Sequence, residues 1–451
     1  MYRTYWFGDP LLNSSQVDKS KQAVRSIVQR INPPSARNRG DCAASWNRFY
    51  YVEDNQIKVY SPDFAEQSLR ELQESTTHRD ITAVAAAWDR VCLSTTTCQR
   101  RDAAVPTMST DRSVETGDGP THELVVLDGV HSSDRLKWRI TSCPVPFSCT
   151  SVSCSDASII TVAGNGQAWC SSRSGAAADD DDALNEGGGK TSADASCVSL
   201  LALERLSWPV ALSCVSCGKD HVLLLDRLGR VASYGIGSRG QLGHGDVASI
   251  DPPAGPRLVE ALDGVRCLLI AAGGWHSLAL MESGDVYSWG WNESGQLGIE
   301  SATCDNEVAD EATQHVVGTS ADRTDPEQAE ATQHSRGTAH SAAQLFSADP
   351  QLVVFPCGAT SEAVDNDDPP DVTVLSISCG SRHSAAVAET GQLFTWGWGA
   401  HGQLGHTSRE NCLSPLPVEY LNRDGEKVEW AMCGDWHTIV HTSTCSSGTG
   451  H

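Results

Sequence analysis

The stretch 270–298, IAAGGWHSLALMESGDVYSWGWNESGQLG, decides the fold of this 451-residue chain. Residues 270–281 are small and apolar and are interpreted as one strand. A polar turn follows with Gly284 at its tip, and 286–291 then alternates apolar and aromatic side chains. Two such runs around a glycine-containing turn predict a β-hairpin, because glycine supplies the positive φ that the turn needs. A single hairpin is marginally stable in water, so further copies are expected.

The hairpin recurs along the chain. Residues 216–245 and 378–406 repeat all of it, and residues 432–441 repeat its first half. One repeat position, here called the histidine column, holds a histidine in these copies at spacings of 55, 107 and 54 residues: His221, His276, His383 and His437. Weaker copies at 45–60, 87–94 and 153–170 place other polar residues in the column: Asn47, Asp89 and Ser158. The chain therefore contains seven copies of the first strand.

The seventh copy lacks the outer strands that the others have. The N-terminal cluster YWFG at 5–8 matches the aromatic-glycine cluster YSWG at 287–290. We therefore expect the N-terminal residues to supply the outer strands of the blade that the C-terminal residues begin. Radial closure of this kind leaves only short, protected sheet edges. The prediction is an all-β, seven-bladed β-propeller closed by N- and C-terminal strands in one blade.

The repeated glycine-x-x-histidine and W-G…G-Q-L-G motifs give the chain a family resemblance. Over 216–441, and more weakly before Cys170, the sequence resembles the regulator of chromosome condensation (RCC) repeat family, whose members are seven-bladed propellers. The runs 271–298 and 379–406 resemble a small, chromatin-linked member that is almost only propeller. The resemblance implies a non-enzymatic scaffold that binds a Jumonji-type Fe(II)/2-oxoglutarate oxygenase, a histone demethylase or hydroxylase, in chromatin regulation and chromosome segregation.

Polar stretches interrupt the repeats. Gly298 and Pro350 are 52 residues apart, whereas the equivalent intervals after Gly243 and Gly405 are 13 and 12. The predicted organisation is a single propeller over 1–445, with a flexible acidic and glycine-rich insertion at 171–196, a polar disordered insertion at 299–349 and a tail at 446–451. Residues 12–40 are expected to form a loop or short helix, and residues 62–78 have helical character.

The bulk composition limits the class of partner. A formal charge of −24, from 33 basic and 57 acidic residues, argues against direct binding of nucleic acid or an anionic membrane, so chromatin contact would be indirect. No apolar run reaches ~18 residues, and the N-terminal residues lack a signal-peptide pattern. The 17 cysteines then indicate a reducing compartment, the nucleus and/or the cytoplasm.

No catalytic, cofactor-binding or metal site is predicted. The column histidines fall in different blades, so we interpret them as hydrogen-bonded to backbone at blade junctions. The CVSC motif at 214–217 lacks the second ligand pair that a zinc site needs, which favours packing. The run DDDD at 179–182 is interpreted as a solvated acidic segment.

The tryptophans provide the candidate binding site. Trp289 and Trp396 share one repeat position and are expected in the core, whereas Trp291 and Trp398 lie two residues later, near the rim. The predicted partner-binding residues are Trp291, Asn292, Glu293 and Trp398, with core packing as the alternative for the two tryptophans.

Two other functions remain open. The first is guanine-nucleotide exchange on a Ran-like small GTPase, as in the founding family member. The second is a tryptophan-based light sensor, whose G-W-R-H-T motif is matched only by GWHS at 274–277, without the arginine.

Overall fold

The computed structural model describes residues 2–8, 28–31, 42–44, 49–53, 56–60, 80–87, 90–97, 121–132, 135–155, 158–172, 203–251, 254–299, 345–356, 372–423 and 426–444. These residues form 27 strands, one short α-helix, α1 (Glu419–Arg423), and one 3-10 turn, Glu260–Leu262. No helix among them is long and apolar enough to cross a membrane.

Most strands have two to eight residues, whereas β8 and β9 have 12 and 11. The first thirteen are β1 (Tyr2–Phe7), β2 (Val28–Ile31), β3 (Cys42–Ala44), β4 (Phe49–Glu53), β5 (Gln56–Tyr60), β6 (Asp80–Ala87), β7 (Arg90–Thr97), β8 (Thr121–Ser132), β9 (Arg135–Val145), β10 (Cys149–Cys154), β11 (Ser158–Ala163), β12 (Ala168–Ser172) and β13 (Glu204–Arg205). The remaining fourteen are β14 (Leu212–Cys217), β15 (His221–Asp226), β16 (Val231–Gly235), β17 (Arg257–Leu258), β18 (Cys267–Ala272), β19 (His276–Met281), β20 (Val286–Trp291), β21 (Phe346–Leu352), β22 (Val374–Cys379), β23 (His383–Ala388), β24 (Leu393–Gly397), β25 (Cys412–Pro417), β26 (Glu426–Cys433) and β27 (Thr438–Thr444).

The described strands form seven antiparallel sheets, which confirms the predicted seven-bladed propeller. Blades 1 to 6 follow chain order: β3–β5, β6–β9, β10–β13, β14–β17, β18–β21 and β22–β25. Blade 7 has the order β2-β1-β27-β26. The innermost strands are neighbours around a ring that runs β3, β6, β10, β14, β18, β22, β26 and back to β3.

Blade 7 closes the ring with strands from both ends of the described chain, as predicted. In β1, Phe7 pairs with Thr438 of β27. The same register pairs Trp289 with Ser277 in blade 5, so Phe7 occupies the position of a blade-core tryptophan. Strand β2 adds an outer partner to β1, so the expected loop or helix over 12–40 is wrong for residues 28–31.

The stretch 270–281 is divided between two strands rather than forming one. Strand β18 ends at Ala272 and β19 begins at His276. The chain turns between them at Gly273, where an added Cβ would lie 2.3 Å from the His276 ring. The hairpin itself is β19 and β20, with Gly284 at φ +93° in its turn. The second strand of each well-defined repeat therefore starts at the histidine column.

Blade 2 departs from the predicted alignment. Its register pairs Ala86 with Val91, as Cys217 pairs with Val222 in blade 4. Arg90, rather than Asp89, therefore takes the histidine column. Arg90 is buried and donates from Nη1 to the Ser155 carbonyl of blade 3 at 2.9 Å, so it also links neighbouring blades. In blade 3, Ser158 is in the column as predicted; Asn47 lies outside the described residues.

The apolar core is divided into clusters, each filling the space between two neighbouring blades. Trp289 packs between blades 4 and 5, and Trp396 packs between blades 5 and 6. Both side chains are 0% exposed, as expected for core residues. Full burial of an aromatic side chain contributes strongly to stability.

Most of the predicted insertions lie outside the described residues. Of 171–196, only Ser171 and Ser172, the end of β12, are described. Of 299–349, residue 299 and residues 345–349 are described, and β21 starts at Phe346, so the sheet resumes before Pro350. The segment 62–78 and the tail 446–451 are not among the described residues.

Gly298→Ala is expected to lower the unfolding free energy by about 1–3 kcal/mol more than Gly264→Ala, since overpacking typically has that effect. Both glycines have positive φ, at +68° and +91°. A Cβ at Gly298 would lie 2.7 Å from Trp396 Nε1, whereas one at Gly264 meets nothing within 4 Å. Urea titrations of the two variants test this. Equal losses would mean that the Trp396 contact adds nothing to the backbone strain.

Candidate functional site

Three of the four column histidines, His221, His276 and His383, join neighbouring blades through hydroxyl groups. His221 Nε2 lies 2.9 Å from Ser277 Oγ in the next blade, and that hydroxyl donates to the Gln241 carbonyl at 2.9 Å. A hydroxyl has one proton to give, so the imidazole must donate from Nε2. The arrangement recurs with His276, Ser384 and the Gln296 carbonyl, and with His383, Thr438 and the Gln403 carbonyl. The prediction of a backbone partner alone was incomplete: Nε2 of each ring bonds to a side-chain hydroxyl, and a backbone hydrogen bond from the next column histidine also acts on His276 and His383.

Burial keeps these imidazoles neutral at physiological pH. Desolvation lowers the pKa of His221 and His276 to about 3 and that of His383 to about 4. Each is at most 1% exposed and belongs to a different pair of blades. Their role is structural: each neutral imidazole donates from Nε2 to a hydroxyl of the next blade, while its Nδ1 is buried without a hydrogen-bond partner in the described part of the chain.

The Gln-Leu-Gly turns hold the loops on one face of the propeller. The Gln241 carbonyl also accepts the Trp289 Nε1 proton from the next blade at 2.9 Å. The Gln241 side chain caps its own loop, where Oε1 accepts the Arg239 backbone N–H at 2.8 Å. Equivalent caps at Gln296 and Gln403 hold the N–H groups of Ser294 and His401. The repeat motif thus fixes the backbone at Arg239 and His401.

Four half-buried tryptophans lie together on this face: Trp275, Trp291, Trp398 and Trp436. We call them the tryptophan arc. Trp275 and Trp291 belong to blade 5 and meet edge to face, with ring centroids 5.3 Å apart. Trp398 and Trp436 come from blades 6 and 7 and meet in the same way at 4.7 Å. Residues from three blades therefore form one aromatic surface.

Two arginines connect the rings of the arc. The Arg239 guanidinium lies 4.3 Å from the Trp275 ring centroid and 4.5 Å from that of Trp291. Arg382 lies 4.6 Å from the Trp291 centroid and 5.9 Å from that of Trp398. Each cation–π contact is worth about 0.5–2 kcal/mol, depending on its exposure. These contacts hold both guanidinium groups against indole rings.

Three acidic side chains near the arc already contact other residues of the chain. Asp220 accepts the Trp275 Nε1 proton at 2.8 Å, and Asp435 accepts the Ser381 hydroxyl proton at 2.7 Å. Glu293 is exposed and lies 3.9 Å from Arg382 Nη1. Among the described residues, no carboxylate lies within 4.0 Å of the Arg239 side chain.

The structure separates the four predicted site residues. Trp291 and Trp398 belong to the arc, and Glu293 is exposed beside Arg382. Asn292 is only 4% exposed, and its Oδ1 accepts the Leu297 N–H at 3.0 Å, so this side chain organises the turn instead of facing a partner. Four further residues of this surface were not predicted from the sequence: Trp275, Trp436, Arg239 and Arg382. Both of these tryptophans directly precede a column histidine, a signal that the repeat alignment contains.

The arc borders the mouth of the central channel. A cavity of about 380 Å³ reaches Trp275, Arg382 and Trp436 at the mouth. Its wall includes one small residue from each blade: Ala44, Ala86, Cys154, Cys217, Ala272, Cys379 and Cys433. Burial raises the pKa of the Cys217 thiol to about 12, which keeps it protonated. No three His, Cys, Asp or Glu side chains in the described part of the chain are grouped so that they could hold a metal ion.

Comparison with known proteins agrees with this architecture. The family model described as the regulator of chromosome condensation (RCC1) repeat matches residues 229–280, 283–343 and 390–440, and a second RCC1 repeat model matches 269–296 and 374–403. The mouse protein named RCC1 domain-containing protein 1 is 43% identical over 227 residues, which cover 50% of this chain and 54% of the relative. The human protein of that name is 42% identical over 228 residues, with the same coverage. The chain thus spans about half the length of these curated relatives.

Solved structures share the fold over nearly the whole chain. Prp20p from Saccharomyces cerevisiae superposes with a TM-score of 0.60 at 16% identity, covering 99% of this chain and 92% of that one. Human WBSCR16 gives a TM-score of 0.60 at 14% identity, covering 98% and 99%. At these identities the likeness concerns the fold alone.

Proposed function

We propose that this chain, whose residues 229–280, 283–343 and 390–440 match the regulator of chromosome condensation (RCC1) repeat, is a non-enzymatic propeller that binds a protein partner through the tryptophan arc. One observation carries the proposal. Four tryptophans and two arginines, all half-buried, converge from blades 4 to 7 on one face. Tryptophan and arginine are the residue types most enriched at the energetic centres of protein interfaces.

The propeller core does not require this surface. Trp289 and Trp396 already fill the spaces between blades, and they donate their indole protons to buried carbonyls. The position of Trp291 is taken by Ile236 in blade 4, which has the same strand pattern. The extra aromatic area on this face therefore has no folding role that the repeat imposes, which favours a role in binding.

For the partner we propose a Jumonji-type Fe(II)/2-oxoglutarate oxygenase, with an action in chromatin regulation and chromosome segregation in the nucleus and/or the cytoplasm. The family resemblance of 271–298 and 379–406 supports this choice. Prp20p has binding properties toward Gsp1p and histones, so protein ligands have a precedent in this fold. Guanine-nucleotide exchange on a Ran-like GTPase remains the alternative, and a nucleotide-release assay with the purified chain tests it directly.

Trp291→Ala is expected to weaken binding of the oxygenase by about 2 kcal/mol or more, roughly 30-fold in Kd, as truncation of a hot-spot residue does. Trp398→Ala should act in the same direction. The measurement is a titration of the purified full-length oxygenase against each variant, with thermal melting to confirm folding.

Trp169→Ala is the matched control, because Trp169 is also half-buried but packs against Phe147 in blade 3, outside the arc. It should leave Kd unchanged. Folded Trp291→Ala protein that binds as tightly as wild type would contradict the site. Absence of binding by the wild type would contradict the choice of partner.

A further inference from the structure

We propose that the tryptophan arc selects an acidic, extended segment of its protein partner, in which two acidic side chains two positions apart contact Arg239 and Arg382. This inference rests on the proposed function and adds the chemistry of the ligand. The two arginines carry the specificity, and the indole rings provide apolar area for the residues between and around the acidic pair.

The state of Arg239 is the first reason. Its guanidinium is packed against two indole rings, and no carboxylate from the described residues lies within 4.0 Å of it. Its Nη1 atom is shielded from solvent and has no hydrogen-bond partner there. A partner that covered this face with apolar groups alone would bury an uncompensated charge, which is strongly unfavourable. A carboxylate relieves this penalty, because its two oxygens match the planar guanidinium fork.

Arg382 supplies a second cation of the same kind. Its Nε is buried without a hydrogen-bond partner in the described structure. The nearest carboxylate, that of Glu293, is 3.9 Å from Nη1 and half-exposed, so it is too distant for a hydrogen bond. Arg382 can therefore exchange this weak contact for a carboxylate from a partner.

The spacing of the two arginines indicates an extended segment. Both guanidinium carbons lie within 4.6 Å of the Trp291 ring centroid, so they are no more than about 9 Å apart. In an extended chain, residues two positions apart are on one face and about 7 Å from each other. Aspartate or glutamate at two such positions can therefore reach both arginines.

The net negative charge of the chain does not prevent an acidic segment from binding at the arc. The formal charge is −24, but exposed charges farther than about 8 Å are largely screened at physiological ionic strength. Asp220 and Asp435, the other acids beside the arc, are held by Trp275 and Ser381.

The test is selection from a phage-displayed library of random 12-residue peptides against the full-length protein at 0.15 M salt. We expect enrichment of peptides with acid-x-acid pairs. A fluorescein-labelled synthetic copy of an enriched peptide should then lose at least about tenfold in affinity for Arg239→Gln and for Arg382→Gln, the loss expected for a charged hydrogen bond. Arg239→Lys should restore only part of it, because lysine keeps the charge but lacks the planar fork.

Arg266→Gln is the matched control, since Arg266 is an exposed arginine with an equally long 3.9 Å contact to Glu282, away from the arc. It should bind the peptide like wild type. Enriched peptides that depend on Trp291 but lack acidic residues would contradict the acidic preference. They would still support the tryptophan arc as the binding surface. Peptides that bind Trp291→Ala as well as wild type would overturn both. An arc-dependent dimer in sedimentation velocity would assign the face to a second copy instead.

Discussion

Between pH 6.5 and pH 4, the unfolding free energy is expected to fall by about 4 kcal/mol per pH unit, because three buried imidazoles each contribute about 1.4 kcal/mol per unit. In the unfolded chain, histidine takes up a proton below its ordinary pKa of 6.5. In the folded chain, burial lowers the pKa of His221 and His276 to about 3 and of His383 to about 4. The unfolded state therefore binds more protons in this window, and stability is lost as the pH falls. With an ordinary stability of about 5–15 kcal/mol, the propeller would unfold between about pH 3 and pH 5.

Urea titrations at a series of pH values measure this slope. His276→Gln keeps a donor for Ser384 but cannot titrate, so the slope should fall by about a third. Ser384→Ala is the matched control, because it removes the acceptor and keeps the imidazole; it should lower stability at every pH without reducing the slope. A slope that is the same for His276→Gln and wild type would contradict the assignment of acid sensitivity to these joints.

Among changes to the N-terminal residues, those that open blade 7 are expected to lower the unfolding free energy most. Phe7 is 0% exposed, packs against Tyr420 with ring centroids 6.1 Å apart, and faces Gly405. Phe7→Ala should lower the unfolding free energy by about 3–5 kcal/mol, as other buried Phe→Ala changes do. Deletion of residues 1–10 should lower it further, because it also exposes the edge of β27. Thermal melting and urea titration measure both losses.

Two controls distinguish the effect of ring closure on stability from the effect of losing buried apolar surface. Phe7→Trp reproduces the residue found at this position in blades 5 and 6, where the indole donates to the carbonyl of a Gln-Leu-Gly turn. It should retain most of the stability. A synthetic peptide of residues 1–10, added to the deleted protein, should raise its melting temperature. If the deletion left the melting curve unchanged, β1 would not hold the ring closed.

The propeller was predictable because its repeat positions have specific physical roles. The histidine column, the turn glycines and the aromatic-glycine cluster at 5–8 are each fixed by contacts that recur between blades. The alignment failed where another residue performs the same role, as in blade 2, where the long Arg90 side chain reaches the next blade's carbonyl. It also failed at Gly273, because close packing against His276, rather than hydropathy, divides 270–281 into two strands.

The candidate site was predictable only in part. Trp291 and Trp398 stand out because they depart from the blade 4 copy of the repeat. Arg239 and Arg382 come from loops of different blades, and only the closed ring brings both of them to Trp291. Asn292 looked like a rim residue, but a short polar side chain in a turn often bonds to nearby backbone, as it does here with Leu297.

The pairing of β1 with β27 also determines when the propeller can close during translation. Thr4 bonds to His441, a partner 437 positions later in the chain. At a translation rate of about 5–20 residues per second, β1 leaves the ribosome roughly 20–90 s before its neighbour exists. During that interval the early blades can form in order. Blade 7 stays incomplete, because β1 does not yet have β27 to pair with. Chaperones that bind extended apolar segments can act on β1 during this interval. If the ribosome stalls before β27 is made, the released chain cannot close the propeller.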